Sequence, residues 1–222
     1  MTLPSGFLSK AVAGFSFVIS PASLIAGGAA VWYDGPDKSE FRKAAIMNLE
    51  RITSPLHPLY KQALELYQIS FPFHEQREAF SQAAILHDDA YHFDLIYDAG
   101  TFVGLVLYWE SLDYIYIEHF CILTEMRNKQ YGQRVLSLLK TRQKTLILEI
   151  DPPIDAISVR RKGFYERCGF VENPYPHIHP PYHKGNKGHE LVIMSSPMPI
   201  SQAEYDTFHA YLQDKIMNHA FV

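Results

Sequence analysis

The sequence predicts a mixed α/β fold built around one central sheet. The 222 residues are enough for a single packed core, and 47% hydrophobic with 20% charged residues is typical of a globular protein. Strand-like segments first follow one another directly and then alternate with helix-like segments. No internal repeat is present. We therefore expect one domain with a mixed sheet flanked by helices.

The first part of this domain is predicted to contain three strands and two helices. Leu59, Ala63 and Tyr67 recur at helical spacing after Pro58. Segments rich in aromatic and β-branched residues predict strands, and Asp-Ala-Gly at 98–100 predicts a hairpin turn. The predicted strands are 48–52, 92–97 and 102–110, and the predicted helices are 58–69 and 75–85.

The second part is predicted to alternate strands with helices. Residues 114–122 have the strongest strand pattern in the chain, and Gly169 is expected to close a helix that ends near Cys168. The remaining predicted elements are a helix at 131–142, a strand at 145–150, a rigid surface loop rich in proline and histidine at 173–188, a strand at 191–194 and a helix at 202–216.

The domain is predicted to begin at Met47, which leaves residues 1–46 as an N-terminal extension. Residues 11–33 carry no charge, and this uncharged run is long enough for a membrane span. Small residues after Leu24 resemble a signal-peptide cleavage region. Pro21, three glycines and a weak basic flank argue against both interpretations. An extension unrelated to catalysis is favoured, and a membrane or targeting role stays open.

Charge and cysteine content exclude several classes of protein. A net charge of −4 gives no electrostatic footprint for nucleic acid. Cys121 and Cys168 lack CxxC spacing, which favours reduced cysteines in a cytoplasmic protein over a disulfide framework. The histidines at 177, 179, 183 and 189 fit no recognised zinc pattern, so we expect no metal.

The most informative stretch is 117–136, where a strand runs into a short polar loop and then into a helix. A helix N-terminus presents unpaired N–H groups and partial positive charge, which suit a phosphate. Arg127 and Lys129 add full charges, and Gly132 allows a close approach to the backbone. These residues predict an anion-binding loop.

Two motifs resemble the GNAT acetyltransferase superfamily. Its pyrophosphate loop reads Gln/Arg-x-x-Gly-x-Gly/Ala, and Arg127 and Gly132 fit this frame, whereas Gln130 replaces the first glycine. A side chain at Gln130 must point away from the pyrophosphate or crowd it. Residues 163–170, Gly-Phe-Tyr-Glu-Arg-Cys-Gly-Phe, resemble the family's tyrosine-bearing helix, although Ser158 and Arg161 replace the asparagine and alanine often seen upstream.

This resemblance implies the GNAT fold, with splayed central strands and acetyl-CoA as co-substrate. It implies an N-acetyltransferase that moves the acetyl group to a primary amine of a small molecule or peptide by direct attack, and a homodimer is common in the family. A non-catalytic acyl-CoA-binding or sensory module on this fold is the alternative. The implied cofactor-binding residues are Phe120, Cys121, Ile122, Arg127, Asn128, Lys129, Gln130, Tyr131, Gly132 and Gln133.

Glu118 is predicted to be the general base, matching a glutamate that polyamine-type members place before the loop. Strand alternation puts Glu118 on one face with Phe120 and Ile122, where burial is expected to raise its pKa toward a useful value. His119 is an alternative base, but alternation turns it to the opposite face. Glu149 could serve as a second base or bind a cationic amine.

Tyr165 is predicted to protonate or hydrogen-bond the departing CoA thiolate, because a phenol with a pKa of about 10 can supply that proton. The acceptor site is expected to come from the first helices and the loop before the last strand. The predicted acceptor-binding residues are Phe71, Glu75, Arg77, Glu149 and Tyr182.

Overall fold

The fold is an open mixed sheet flanked by helices. The computed structural model describes residues 47–218, 220 and 221. Its strands are ordered β1-β2-β3-β4-β5-β8-β6, and β7 pairs with β8. All neighbours are antiparallel except β4 and β5. The strands are β1 (Asn48–Ile52), β2 (Tyr91–Asp98), β3 (Thr101–Glu110), β4 (Tyr114–Ile122), β5 (Thr145–Ile150), β6 (Val171–Glu172), β7 (His177–His179) and β8 (His189–Ser196).

Helices cover both faces of the sheet. They are α1 (Tyr60–Ser70), α2 (Ala79–Ile85), α3 (Tyr131–Lys140), α4 (Ala156–Arg167) and α5 (Gln202–Tyr211), and a π-helical turn at Leu212–Ile216 extends α5. One hydrophobic core joins the sheet to α1 and α5 through residues such as Tyr67 and Phe208. The second core joins the sheet to α3 and α4 through residues such as Val135 and Phe164.

Strands β4 and β5 separate partway along their length. They pair from Tyr114 with Thr145 to Ile117 with Leu148, and no pairing follows, although β4 continues to Ile122. The second half of β4 therefore has β3 on one side and an open gap on the other. This gap is the splay that the predicted fold requires.

A β-bulge at Glu118 changes the direction of the residues after it. Leu107 pairs with His119 and Tyr108 pairs with Ile117, so Glu118 is an extra residue on β4. Phe120 consequently packs with the core beneath α3 and α4, while His119 contacts Tyr67 on the other face. The prediction that Glu118 shares a face with Phe120 and Ile122, opposite His119, is wrong because simple alternation ignores the bulge.

Two predicted segments differ from the observed elements. A 3-10 turn at Phe73–Glu75 precedes α2, which begins only at Ala79, so the helix predicted from Glu75 starts four residues later. The predicted surface loop contains β7, whose His177 and His179 are only 2% and 4% exposed. Pairing with β8 buries these two histidines and leaves Ile178 exposed.

The predicted extension at residues 1–46, with its candidate membrane span, lies outside the described residues. Within the part of the chain that the structure describes, no helix combines the length and apolar character needed to cross a membrane.

Candidate active site

The loop between β4 and α3 presents a row of backbone N–H groups. A 3-10 turn at Thr124–Met126 ends β4, and Arg134 is the first residue whose amide bonds within the helical turn, to the carbonyl of Gln130. Within the described residues, the amides of 128–133 donate to no protein acceptor. Left-handed backbone at Asn128 (φ 64°) and Gln130 (φ 62°) produces this concave arrangement, which suits an anion.

Gln130 occupies the left-handed position without filling the anion site. It is exposed, and its side chain makes no capping hydrogen bond to the helix. The amides of the first helical turn therefore remain available despite the departure from glycine. Gly132 has a different reason to lack a side chain, because a Cβ there would lie 3.0 Å from Cζ of Phe164. That glycine lets α4 pack closely on α3.

Two cations near this loop form no ion pair with the described residues. Arg127 and Lys129 are exposed, and Nε of Arg127 donates to the carbonyl of Ile122 at 3.3 Å. The guanidinium of Arg134 is instead committed to both carboxylate oxygens of Asp98. The positive charge that is available to an incoming phosphate is therefore concentrated at the start of the loop.

The splayed half of β4 also offers main-chain groups. The amide of Leu123 donates to the carbonyl of Val103, so the main-chain N–H of Leu123 faces β3. By alternation along the ladder, the N–H and C=O groups of Phe120 and Ile122 point away from β3 into the gap. At Gly104, a Cβ would lie 2.2 Å from the carbonyl oxygen of Cys121, so only glycine permits this close strand pair.

A cavity of about 480 Å³ extends from this gap. It brings together ten of the predicted site residues, but neither Arg77 nor the predicted loop residues 128–133 line it. The predicted residues on its wall are Phe71, Glu75, Glu118, Phe120, Cys121, Ile122, Arg127, Glu149, Tyr165 and Tyr182.

The Glu118 side chain is buried at the cavity wall, and both of its carboxylate oxygens bind protein donors. Its carboxylate pairs with Arg77 at 3.2 Å and accepts hydrogen bonds from Trp109 Nε1 and the Tyr182 hydroxyl, both at 2.9 Å. Burial alone would raise the pKa of Glu118, but Arg77 and the other donors hold it below its ordinary value. The expectation that burial raises this pKa is wrong because the sequence did not reveal the donors.

The Arg77 side chain is buried behind the cavity wall. Its guanidinium donates to the carbonyl of Ile216 at 2.8 Å and to Ser81 Oγ at 3.3 Å, besides the Glu118 carboxylate. Only 3% of Arg77 is exposed. Arg77, predicted to bind the acceptor, therefore does not face the cavity, and its guanidinium neutralises Glu118.

Glu149 forms a second buried carboxylate cluster on the cavity wall. It accepts a hydrogen bond from the Tyr116 hydroxyl at 2.6 Å and a short one from His177 Nε2. Burial raises the pKa of Glu149, but His179, His177 and Tyr116 together lower it below its ordinary value. Oε2 of Glu149 lies 3.9 Å from His179 Nε2.

His177 and His179 were missed as site residues by sequence reasoning. Their i, i+2 spacing in His-Ile-His places both rings on one face of β7. The signal was present, but the usual rule buries the apolar residue, and here Ile178 is the exposed one. His179 also connects the two carboxylate clusters, because its Nε2 lies 3.4 Å from the Tyr182 hydroxyl.

Tyr165 projects from α4 between Phe164 and Phe170, and its hydroxyl makes no hydrogen bond within the described residues. Burial raises the pKa of Tyr165 to about 12. The phenol is therefore protonated at neutral pH and can donate.

His119 and Cys121 are poorly suited to chemistry. His119 Nε2 donates to the Glu75 carbonyl at 2.9 Å, and its buried Nδ1 has no partner among the described residues. Burial lowers the pKa of His119, which keeps the ring neutral, and raises the pKa of the Cys121 thiol, which disfavours the nucleophilic thiolate.

Comparisons with known proteins agree with this geometry. A solved GNAT-family protein from Bacteroides thetaiotaomicron is 27% identical, with a TM-score of 0.72, and the match covers 77% of this chain and 98% of that one.

Two further structures match more weakly. A spermidine N-acetyltransferase chimera with Vibrio cholerae sequence has 18% identity and a TM-score of 0.49, covering 72% of this chain and 97% of its own. An Arabidopsis thaliana protein bound to the bisubstrate analogue CoA-Ac-MVNAL has 15% identity and a TM-score of 0.49, covering 68% and 99%. Neither of these two similarities bears on function.

No curated protein matches the sequence significantly. The sequence model of the acetyltransferase (GNAT) family, in contrast, matches residues 56–170, which is more than half of the chain and spans both motifs of the site. The chain therefore belongs to the acetyltransferase (GNAT) family.

Proposed function

We propose that residues 47–222 form a catalytic domain that moves the acetyl group of acetyl-CoA to a primary amine by direct attack. The observation that carries this proposal is the row of amides at 128–133, which bond to no acceptor in the part of the chain described and lie at the end of the splayed half of β4. A diphosphate on these amides would extend its pantetheine arm along the gap. Because acetyl-CoA is an intracellular metabolite, we propose a cytoplasmic location.

The proposed cofactor site relies mainly on main-chain groups. The pyrophosphate would contact the amides of Asn128, Lys129, Gln130, Tyr131, Gly132 and Gln133, with the Arg127 and Lys129 side chains beside it. The pantetheine would bond to the gap-facing groups of Phe120 and Ile122. The Ile122 amide would also donate to the thioester oxygen, stabilising the negative charge that develops there during attack.

Tyr165 is the proposed proton donor to the leaving thiolate. When the tetrahedral intermediate collapses, the carbon–sulfur bond breaks and the electron pair stays on the CoA sulfur. The Tyr165 phenol lines the same cavity and is protonated at neutral pH, so it can donate a proton or a hydrogen bond to that sulfur.

Glu118 is proposed to receive the amine proton through Tyr182. The Glu118 side chain is 1% exposed, so we infer transfer through a neighbouring hydroxyl rather than direct contact with the acceptor amine. Tyr182 lines the cavity, and its hydroxyl donates to Glu118 at 2.9 Å. The ammonium would pass a proton to the Tyr182 oxygen while Tyr182 gives its own proton to Glu118, so the amine gains a lone pair for attack.

Variants can separate this route from the alternative in which Glu149 is the base. Tyr182→Phe and Glu118→Gln should each lower kcat by about 100-fold, the usual range for loss of a general base. Glu149→Gln should change KM for a cationic amine more than kcat. The reverse pattern would assign the base to Glu149.

The acceptor is proposed to be a cationic amine on a small molecule or peptide. Glu75, Glu149 and Asp151 line the cavity together with Arg127, Arg161 and Lys187, so its walls offer carboxylates to a cationic amine. Burial and the nearby Asp151 carboxylate raise the pKa of Glu75, as expected where negative charges gather. Phe71 supplies an apolar surface on the same wall.

The decisive experiment incubates the full chain with acetyl-CoA and a panel of polyamines, amino sugars, amino acids and peptides. Amine-dependent release of CoA thiol is the expected result. Calorimetry with acetyl-CoA alone provides the control for cofactor binding. Binding without amine-dependent thiol release across the panel would instead identify a non-catalytic acyl-CoA sensor, and absence of binding would overturn the proposal.

A further inference from the structure

A group of metal-binding side chains lies on the wall of the cavity, apart from the buried carboxylates. His74, Glu75 and His189 each offer a ligand atom, and these atoms lie within 4.8 Å of one another. All three residues line the cavity. His74 is exposed and the other two are partly exposed, so this group, called here the His74 cluster, stands on the accessible side of the cavity.

Contacts outside the cluster hold the turn that carries two of its members. The Phe73 carbonyl accepts a hydrogen bond from His183 Nε2 at 2.8 Å, and the two rings stack 4.2 Å apart. The Glu75 carbonyl accepts from His119 Nε2 at 2.9 Å. The 3-10 turn at Phe73–Glu75 is therefore tied at both ends to other elements before any ligand binds.

The third member comes from a separate strand. His189 begins β8 and is in register with His179 of β7, so its backbone position is set by the sheet. Oδ1 of Asp151 lies 3.6 Å from His189 Nε2 and adds a second carboxylate beside the cluster. Asp151 also pairs with Arg161, which holds that carboxylate in place.

We propose that the His74 cluster binds a divalent transition-metal ion, best matched by Zn²⁺. Two imidazoles and one carboxylate are typical zinc ligands, bound at about 2.0–2.2 Å. Tetrahedral ligands at that distance are about 3.3 Å apart, so the donor atoms need only a small closing movement from their separations of up to 4.8 Å. Three protein ligands leave one position for water.

A bound ion would obstruct the acceptor side of the cavity. Glu75 is a proposed acceptor-binding residue, and zinc would occupy its carboxylate and place positive charge where a cationic amine should bind. Zinc is thus expected to inhibit acetyl transfer in competition with the amine. This inhibitory effect rests on the proposed function, whereas metal binding itself does not.

The binding test uses metal-free, untagged full chain and titrates Zn²⁺ against a chromogenic chelator. We expect one ion per chain, with affinity reduced at least about tenfold in His189→Ala and in His74→Ala. His87→Ala is the matched control, because His87 is exposed and outside the cluster. It should bind zinc like the unmodified chain.

Spectroscopy of the Co²⁺-loaded chain distinguishes this site from one built on the cysteines. Imidazole and carboxylate ligation gives ligand-field bands without the sulfur-to-metal charge transfer that Cys121 or Cys168 would produce. Weak or absent binding, binding unchanged in both cluster variants, or a thiolate spectrum would each overturn the proposal. Because no acetyl-CoA or amine is present, failure here leaves the proposed transferase activity untouched.

Discussion

The cofactor side and the acceptor side of the cavity are built from different parts of the chain. The cofactor side presents backbone amides from the single stretch 128–133 and main-chain groups of β4. The acceptor side presents side chains from distant segments. Glu118 bonds to Arg77, 41 residues away, and to Tyr182, 64 residues away.

This difference explains how each side tolerates changes in sequence. A main-chain site keeps its donors when a side chain changes, as at Gln130, where glycine is usual in the family. A network of buried charges depends on every member, because removing one leaves another unpaired in a low-dielectric environment. The acceptor side should therefore be sensitive to substitution and the cofactor loop robust.

The largest expected effect tests the buried ion pair. Arg77→Met should lower the free energy of unfolding by about 3–5 kcal/mol, because it leaves the Glu118 carboxylate buried without its cation. Urea denaturation measures the loss. The double variant Arg77→Met/Glu118→Met should recover part of it, since no uncompensated charge remains. A loss below about 1 kcal/mol in the single variant would contradict the contrast between the two sides.

The second prediction concerns a side chain between the two sides. Tyr165→Phe should lower kcat by about 100-fold, because the departing thiolate loses its donor, while the Kd for acetyl-CoA stays unchanged. Steady-state kinetics and calorimetry measure the two quantities. Tyr211→Phe, which removes a hydroxyl from a tyrosine packed on Tyr114 and outside the cavity, is the control. An unchanged kcat in Tyr165→Phe would remove this residue from the mechanism.

Lowering the pH should reduce the stability of the fold through protonation of Glu118. The pKa of Glu118 is lowered in the folded state from an ordinary value of 4.5, so its stabilising contribution is complete above that pH and is lost as the pH falls through the lowered value. Denaturation of the unmodified chain should show stability declining below about pH 4.5. Glu118→Gln should show a shallower decline, and equal slopes would argue that the carboxylate is not held by its donors.

The smallest expected effect is a change in stability at Gln130 in the cofactor loop. Gln130→Gly should raise stability by about 1 kcal/mol, because glycine adopts a positive φ without strain. Gln143→Gly is the matched control, since Gln143 also has a positive φ (57°) and does not line the cavity. Both variants should keep the affinity for acetyl-CoA within about twofold. A change confined to Gln130→Gly would mean that this side chain takes part in binding.

Local patterns in the sequence predicted much of the fold and the cofactor loop. The strands Tyr114–Ile122 and Thr145–Ile150 have the predicted ends, because dense β-branched and aromatic residues mark them. The frame from Arg127 to Gly132 is likewise a contiguous signal. Features that are created by residues close together in the chain can therefore be predicted from the sequence.

Long-range features could not be read in the same way. The bulge at Glu118 depends on how β4 registers with β3, which no single strand encodes. The donors around Glu118 and Glu149 come from elements that meet only in the folded chain. The histidines at 177 and 179 are buried while Ile178 is exposed, which reverses the usual apolar-inside rule. The reason is that His177 hydrogen-bonds to the buried Glu149 carboxylate.

The extra residue at position 118 also limits how this protein can evolve. Deleting Glu118 would only remove the bulge, but inserting one residue between His119 and Phe120 would exchange the inward and outward directions of everything up to the loop. Phe120 would leave its core, and the gap-facing carbonyl and amide groups would turn toward β3. A change of length between His119 and the loop is therefore disfavoured. We therefore expect insertions and deletions among relatives to avoid this strand and to collect in exposed turns such as 184–187.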